Sequence, residues 1–105
     1  MPTKPPKTYL DLKKRHGKFI EAVEALGLTA KQAGPLDRKT AQLVQLAAAA
    51  AIRSEGAVHS HVRRALEAEA TPEEIRHALI LLASTIGFPT VVAALTWAED
   101  VLQKP

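Results

Sequence analysis

Apolar residues recur along most of this chain at intervals of three and four, and nowhere do they alternate convincingly in twos. That spacing lines up one stripe of an α-helix, whereas a half-buried strand needs alternation. The chain is therefore expected to be an all-α bundle of about six helices. Between residues 38 and 53, Leu43, Leu46, Ala47, Ala50 and Ala51 keep the helical period behind Asp37, a good N-cap. Alanines at 47–51 make that face thin, so a neighbouring helix can come close. Gly56 interrupts the pattern, and a helix is expected over about 57–69. Val58, Val62, Ala65 and Leu66 would face inward, and Arg63, Arg64 and Glu67 outward.

Thr71-Pro72-Glu73-Glu74 is the clearest local signal. Thr71 can cap, Pro72 suits the first helical position, and Glu74 can reach back to the cap. The helix that follows, about 72–86, carries Ile75, Ala78, Leu79, Leu82 and Ile86 on one face, widened by Ile80, Leu81 and Ala83. Gly87 ends it, and Pro89 opens a last helix over about 89–103. That helix is also broadly apolar, with Trp97 among its residues. Two such helices exceed what one thin domain can cover, and the surplus implies a subunit interface. Earlier in the chain, Tyr9, Leu10, Leu12, Phe19, Ile20, Val23 and Leu26 suggest helical packing across 9–26, with an interruption at Gly17 and a stop at Gly27. Thr29 and Gln32 resemble a capping box for one short turn before Gly34-Pro35. Residues 1–7 read as a flexible arm rich in proline and lysine, and 8–105 as one helical domain, a size that fits 105 residues.

Cysteine is absent. Disulfides, zinc-thiolate sites and catalytic thiols are excluded, so the chain cannot perform thiol redox chemistry with its own side chains. No apolar h-region follows the charged N-terminus, and the longest apolar stretches, 43–52 and 78–83, fall short of the ~20 residues a membrane span needs. A cytoplasmic protein without a membrane partner is expected. The net charge of +3 is uneven: residues 1–18 hold six basic side chains against Asp11 alone, and the remainder is net acidic. A solvated arm is the ordinary reading of such a run. With Tyr9 as its only aromatic for base stacking, it argues weakly for nucleic acid.

His59 and His61 are two apart, on different sides of a helix, and cannot chelate one metal as an i, i+4 pair would. His16 and His77 lie elsewhere, so no metal and no cofactor are expected. Ser54, Ser60 and Ser84 lack the glycines of a nucleophile elbow, and no Gly-rich phosphate loop is present.

The ordered series Leu36-Asp37-Arg38-Lys39-Thr40-Ala41-Gln42-Leu43-Val44, the alanine helix, His61-Val62-Arg63-Arg64-Ala65-Leu66, Thr71-Pro72-Glu73-Glu74-Ile75 and Gly87-Phe88-Pro89 resembles the carboxymuconolactone decarboxylase family, which includes the alkylhydroperoxidase D-like proteins. The resemblance covers about residues 36–100. It implies an alkylhydroperoxidase D-like helical fold and dimers that assemble toward a hexamer. Peroxidase-type members resemble a pattern of Glu, then Cys-x-x-Cys, then His. Aligned on His61, those positions read Gln42, Ser54 and Ala57, and only the histidine is kept. A serine of ordinary pKa does not replace a thiolate. Decarboxylase-type members resemble His-x-Arg followed by a histidine and a tyrosine ahead of Gly-x-Pro. His61-Val62-Arg63 keeps the first part, while Leu81 and Thr85 stand at the later positions.

The resulting expectation is a decarboxylase-like lyase acting on a small molecule. His61 would be its general acid or base, with Gln42 and Ser54 beside it and Arg63 pairing a substrate carboxylate. A non-catalytic relative that binds a ligand or protein partner is the alternative, and a binder of anionic partners through residues 1–18 is a third. Against them stand the ordinary roles of these residues, a packed histidine and a surface arginine.

Overall fold

Capping chemistry sets where the central helices begin. In the structure, a computed structural model that describes residues 5–103, the elements are α1 (Lys7–Arg15), α2 (Gly17–Gln32), α3 (Arg38–Ala51), α4 (Glu55–Glu67), α5 (Pro72–Ile80), α6 (Ala83–Ile86) and α7 (Phe88–Leu102). No strand occurs among the described residues. Asp37 Oδ1 accepts the Thr40 N–H at 2.7 Å and starts α3. Ser54 Oγ accepts the Ala57 N–H at 3.3 Å and starts α4. At α5 the full reciprocal box forms: Thr71 Oγ1 accepts from Glu74 N–H at 3.0 Å, and Glu74 Oε1 accepts from Thr71 N–H at 2.9 Å.

The chain divides at Leu36/Asp37 into two compact units. The sequence expectation set residues 1–7 apart as an arm rich in proline and lysine and read 8–105 as one domain. Residues 1–4 of the expected arm lie outside the described residues, and Lys7 already belongs to α1. In the first unit, α1 and α2 pack together, and the Tyr9 hydroxyl donates to Glu24, whose carboxylate also meets Lys13 at 3.5 Å. The helix expected to stop at Gly27 continues to Gln32, so Thr29 and Gln32 lie within α2 and form no capping box.

The second unit is built on α3, α4, α5 and α7. Its core holds Leu46, Val58, Val62, Ile75, Leu79 and Val101 together with Ala49, Ala50, Ala65, Ala70, Ala94 and Ala98. Half of these twelve are alanine, and small side chains let helix axes approach closely. α3 and α4 make the most extensive pairing in the chain. The turn between them spans three residues. Arg53 N–H bonds Ala50 O and Ser54 N–H bonds Ala49 O, each at 3.0 Å, with Arg53 in the left-handed region at φ 57°. This is the Schellman closure, normally made by glycine. It repeats at the end of α4, where Glu69 has φ 72° and the bonds run from Glu69 to Leu66 and from Ala70 to Ala65. Gly56, read as the interruption, instead lies in the first turn of α4.

The expected helix 72–86 is broken after Ile80. Leu82 N–H bonds Leu79 O, three residues back, and α6 is a single turn before Gly87 at φ 93°. The shift from i−4 to i−3 bonding tightens the backbone there. No glycine or proline marks it in the sequence.

Candidate active site

The close α3–α4 pairing brings two polar side chains of the second unit together. Gln42, on the buried face of α3, is only 5% exposed. Its Oε1 lies 2.9 Å from His61 Nδ1 on α4. With Oε1 as acceptor, Nδ1–H donates, and a neutral imidazole then carries its lone pair on Nε2. An amide fixes the tautomer and ring angle but brings no negative charge to stabilise an imidazolium, as a carboxylate in its place would. His61 itself is half-buried.

Ser54 and Arg63 are placed differently. Ser54 is the N-cap of α4, seven residues before His61, which puts it on the same face about 10 Å along the axis. Its oxygen is occupied by the cap bond. Arg63 is two residues past His61 and leaves the helix about 200° around from it. Arg63 is half-buried and makes no hydrogen bond or ion pair among the described residues. Burial pushes its pKa down, with a smaller push from neighbouring Arg64. The structure therefore brings Gln42 to His61, aligns Ser54 on the same face and sets Arg63 apart from both.

Sequence reasoning passed over Gln45. It lies almost one turn beyond Gln42, and its Oε1 is buried without a hydrogen-bond partner among the described residues. A polar residue at i+3 from Gln42, interrupting the run 43–52, was the available signal. It also passed over Glu55, His59 and Asp100, whose ligand atoms lie within 4.8 Å of one another. The Glu55/His59 spacing of four was the signal in the sequence for this cluster.

A sequence model of the carboxymuconolactone decarboxylase family matches residues 17–100, from the start of α2 almost to the end of α7. The chain belongs to the carboxymuconolactone decarboxylase family. Its all-helical architecture accords with that membership. An uncharacterised protein of Haemophilus influenzae is 36% identical over 59 residues, covering 56% of this chain and 52% of that relative. The chain thus spans about half the length of the curated relative it matches. This carboxymuconolactone decarboxylase family member has no cysteine for the peroxidase pattern described above. At the two later positions of the decarboxylase pattern, Leu81 and Thr85 are both exposed. No helix among the described residues is long and apolar enough to cross a membrane.

Proposed function

We propose that this family member is a decarboxylase-like lyase for a small molecule, with His61 as its general acid/base. The observation that carries the reading is the 2.9 Å bond between His61 Nδ1 and the buried Gln42 amide. A ring held this way keeps one tautomer, so Nε2 is the nitrogen that accepts a proton from a ligand and returns it. Ser54, on the same face, has its oxygen engaged by the cap and its proton left to donate. Arg63 leaves α4 about 200° from His61, so this reading gives it no part in binding the ligand held there. Thiol peroxidase activity has no place in this reading, because the nucleophile it needs is absent.

Carboxymuconolactone, from the family's name, is the first substrate to try. Turnover by the wild-type chain that disappears in His61→Ala, with an unchanged circular dichroism spectrum, supports the lyase. Absence of turnover together with saturable binding of small carboxylic acids favours a second reading, a non-catalytic relative that binds a ligand in the old site. That reading is favoured by Leu81 and Thr85, which offer no imidazole or phenol where the decarboxylase pattern has them.

We further propose that the protein acts as a homo-oligomer in the cytoplasm. Ile80, Leu81, Phe88 and Val92 are exposed around the α5–α7 region, and Phe88 is 68% exposed. Such a run of large apolar side chains suits a face covered by a second copy.

A further inference from the structure

Two carboxylates and an imidazole converge where α4 and α7 pack together. Glu55 lies in the first turn of α4, His59 one turn later, and Asp100 in the last turn of α7. His59 Nε2 is 3.0 Å from Asp100 Oδ2 and 4.0 Å from Glu55 Oε2. The backbone beneath is fixed, because Val58, Ala98 and Val101, neighbours of these residues, are all buried in the core. The donors are thus presented by two rigid elements rather than by a loop.

The charge balance of this cluster differs from that of the other cross-helix contacts. Glu74 meets Lys39 at 2.9 Å, and Glu99 meets Arg76 at 2.7 Å, so each carboxylate has a permanent cation. Glu55 and Asp100 have, among the described residues, only the imidazole. An ion pair with His59 needs one carboxylate. A second one at the same nitrogen adds repulsion between the two acids whenever the imidazole is neutral. In that state the cluster offers two anionic oxygens and a nitrogen lone pair, which is a ligand set for a divalent cation.

We propose that Glu55, His59 and Asp100 form a surface site for a divalent transition-metal ion of the Zn²⁺ or Co²⁺ type. Imidazole with carboxylate suits these borderline ions, whereas Mg²⁺ and Ca²⁺ favour oxygen alone. Bonds of ~2.0–2.1 Å in a tetrahedral site put donor atoms about 3.3 Å apart. The two separations from His59, 3.0 and 4.0 Å, lie on either side of that value, and all three ligand atoms lie within 4.8 Å of one another, so side-chain rotations would have to draw the two carboxylates in. Three protein ligands leave a fourth position for water. The ion joins the start of α4 to the end of α7. It is separate from the His61 face, because residues 59 and 61 leave the helix about 200° apart.

The competing account assigns Glu55 to the helix dipole and His59–Asp100 to a simple ion pair. The two accounts part on cation uptake. The tag-free full chain, stripped of metal by chelator and dialysis, is titrated with Zn²⁺ and with Co²⁺ by calorimetry, and the Co²⁺ visible spectrum is followed. The expected result is one ion per chain, unaffected by excess Mg²⁺ and retained in His77→Gln. Binding should weaken at least about tenfold in His59→Gln and in Asp100→Asn. Zn²⁺ should raise the melting temperature of the wild type and leave that of His59→Gln unchanged. Absence of saturable uptake up to millimolar metal overturns the proposal, as does uptake that survives both substitutions. Should either variant fail to fold, Glu55→Gln, an exposed change in the same ligand set, must show the same loss.

Discussion

At the scale of the residue, His61 and Gln42 form a coupled pair whose two members respond differently to substitution. Truncating His61 to alanine leaves the buried Gln42 oxygen without its donor, and a buried unsatisfied polar group costs about 1–3 kcal/mol. The expected outcome for His61→Ala is a lower melting temperature together with loss of turnover. His61→Gln can restore the hydrogen bond and most of the stability, but not proton transfer. A thermal melt and an activity assay on both variants separate the two roles. Recovery of activity in His61→Gln would remove the imidazole from the mechanism. The pairing itself was partly legible in the sequence. The alanine run announced a close helix approach, and the family pattern put Gln42 and His61 in one site. Arg63 was expected to serve the same ligand as His61, but two residues of helix turn its side chain about 200° away. What the sequence hid was Asp100 beside His59, a meeting that depends on how α7 packs across α4.

At the scale of the element, helix ends carry the most local information and the most accessible stability. The Thr71 box was readable because Thr-Pro-Glu-Glu is a sufficient signal by itself, and the structure forms both of its bonds. Thr71→Ala is expected to lower stability by about 1 kcal/mol in a denaturant titration. The ends of α3 and α4 were not readable, because Arg53 and Glu69 occupy left-handed positions that usually announce themselves as glycine. Glu69→Gly should therefore stabilise the fold by up to about 1 kcal/mol through relief of the Cβ clash. Arg53, whose Nη1 donates to Thr90 Oγ1 at 2.9 Å, is the less favourable site for the same change. Acid should undo several of these ends together. The Asp37 carboxyl is held below its usual range by the Thr40 N–H, that of Glu74 by the Thr71 N–H and then Lys39, and that of Glu99 by Arg76. Carboxylates with depressed folded-state values contribute stability that is present above the ordinary carboxylate range. It is lost as pH falls through the depressed values. Melting temperature should accordingly hold near neutrality and fall below about pH 4. Glu99→Gln should be less stable at neutral pH and show a shallower acid limb.

At the scale of the whole molecule, much of the apolar surface of the last helices, Ile75, Leu79, Val91 and Val101 among it, is buried within the second unit. Trp97, one of the apolar residues of the last helix, packs against the core cluster of the second unit. Among the apolar residues left exposed are Ile80, Leu81, Phe88 and Val92, around the break between α5 and α7. Leu81, two residues past buried Leu79, points about 200° away from it and is 61% exposed. Large side chains at such exposure lose contact with water favourably on association, at roughly 25 cal/mol per Å² of apolar area removed. The two aromatics therefore make opposite predictions. Phe88→Asp should leave a folded chain of lower assembled mass, whereas Trp97→Asp should destabilise the subunit itself. Size-exclusion chromatography with light scattering, read beside a circular dichroism melt, measures both. A wild-type chain that runs as a clean monomer at micromolar concentration would remove the second copy from the proposed function. It would also leave Phe88 and Leu81 as the face on which a different partner must be sought.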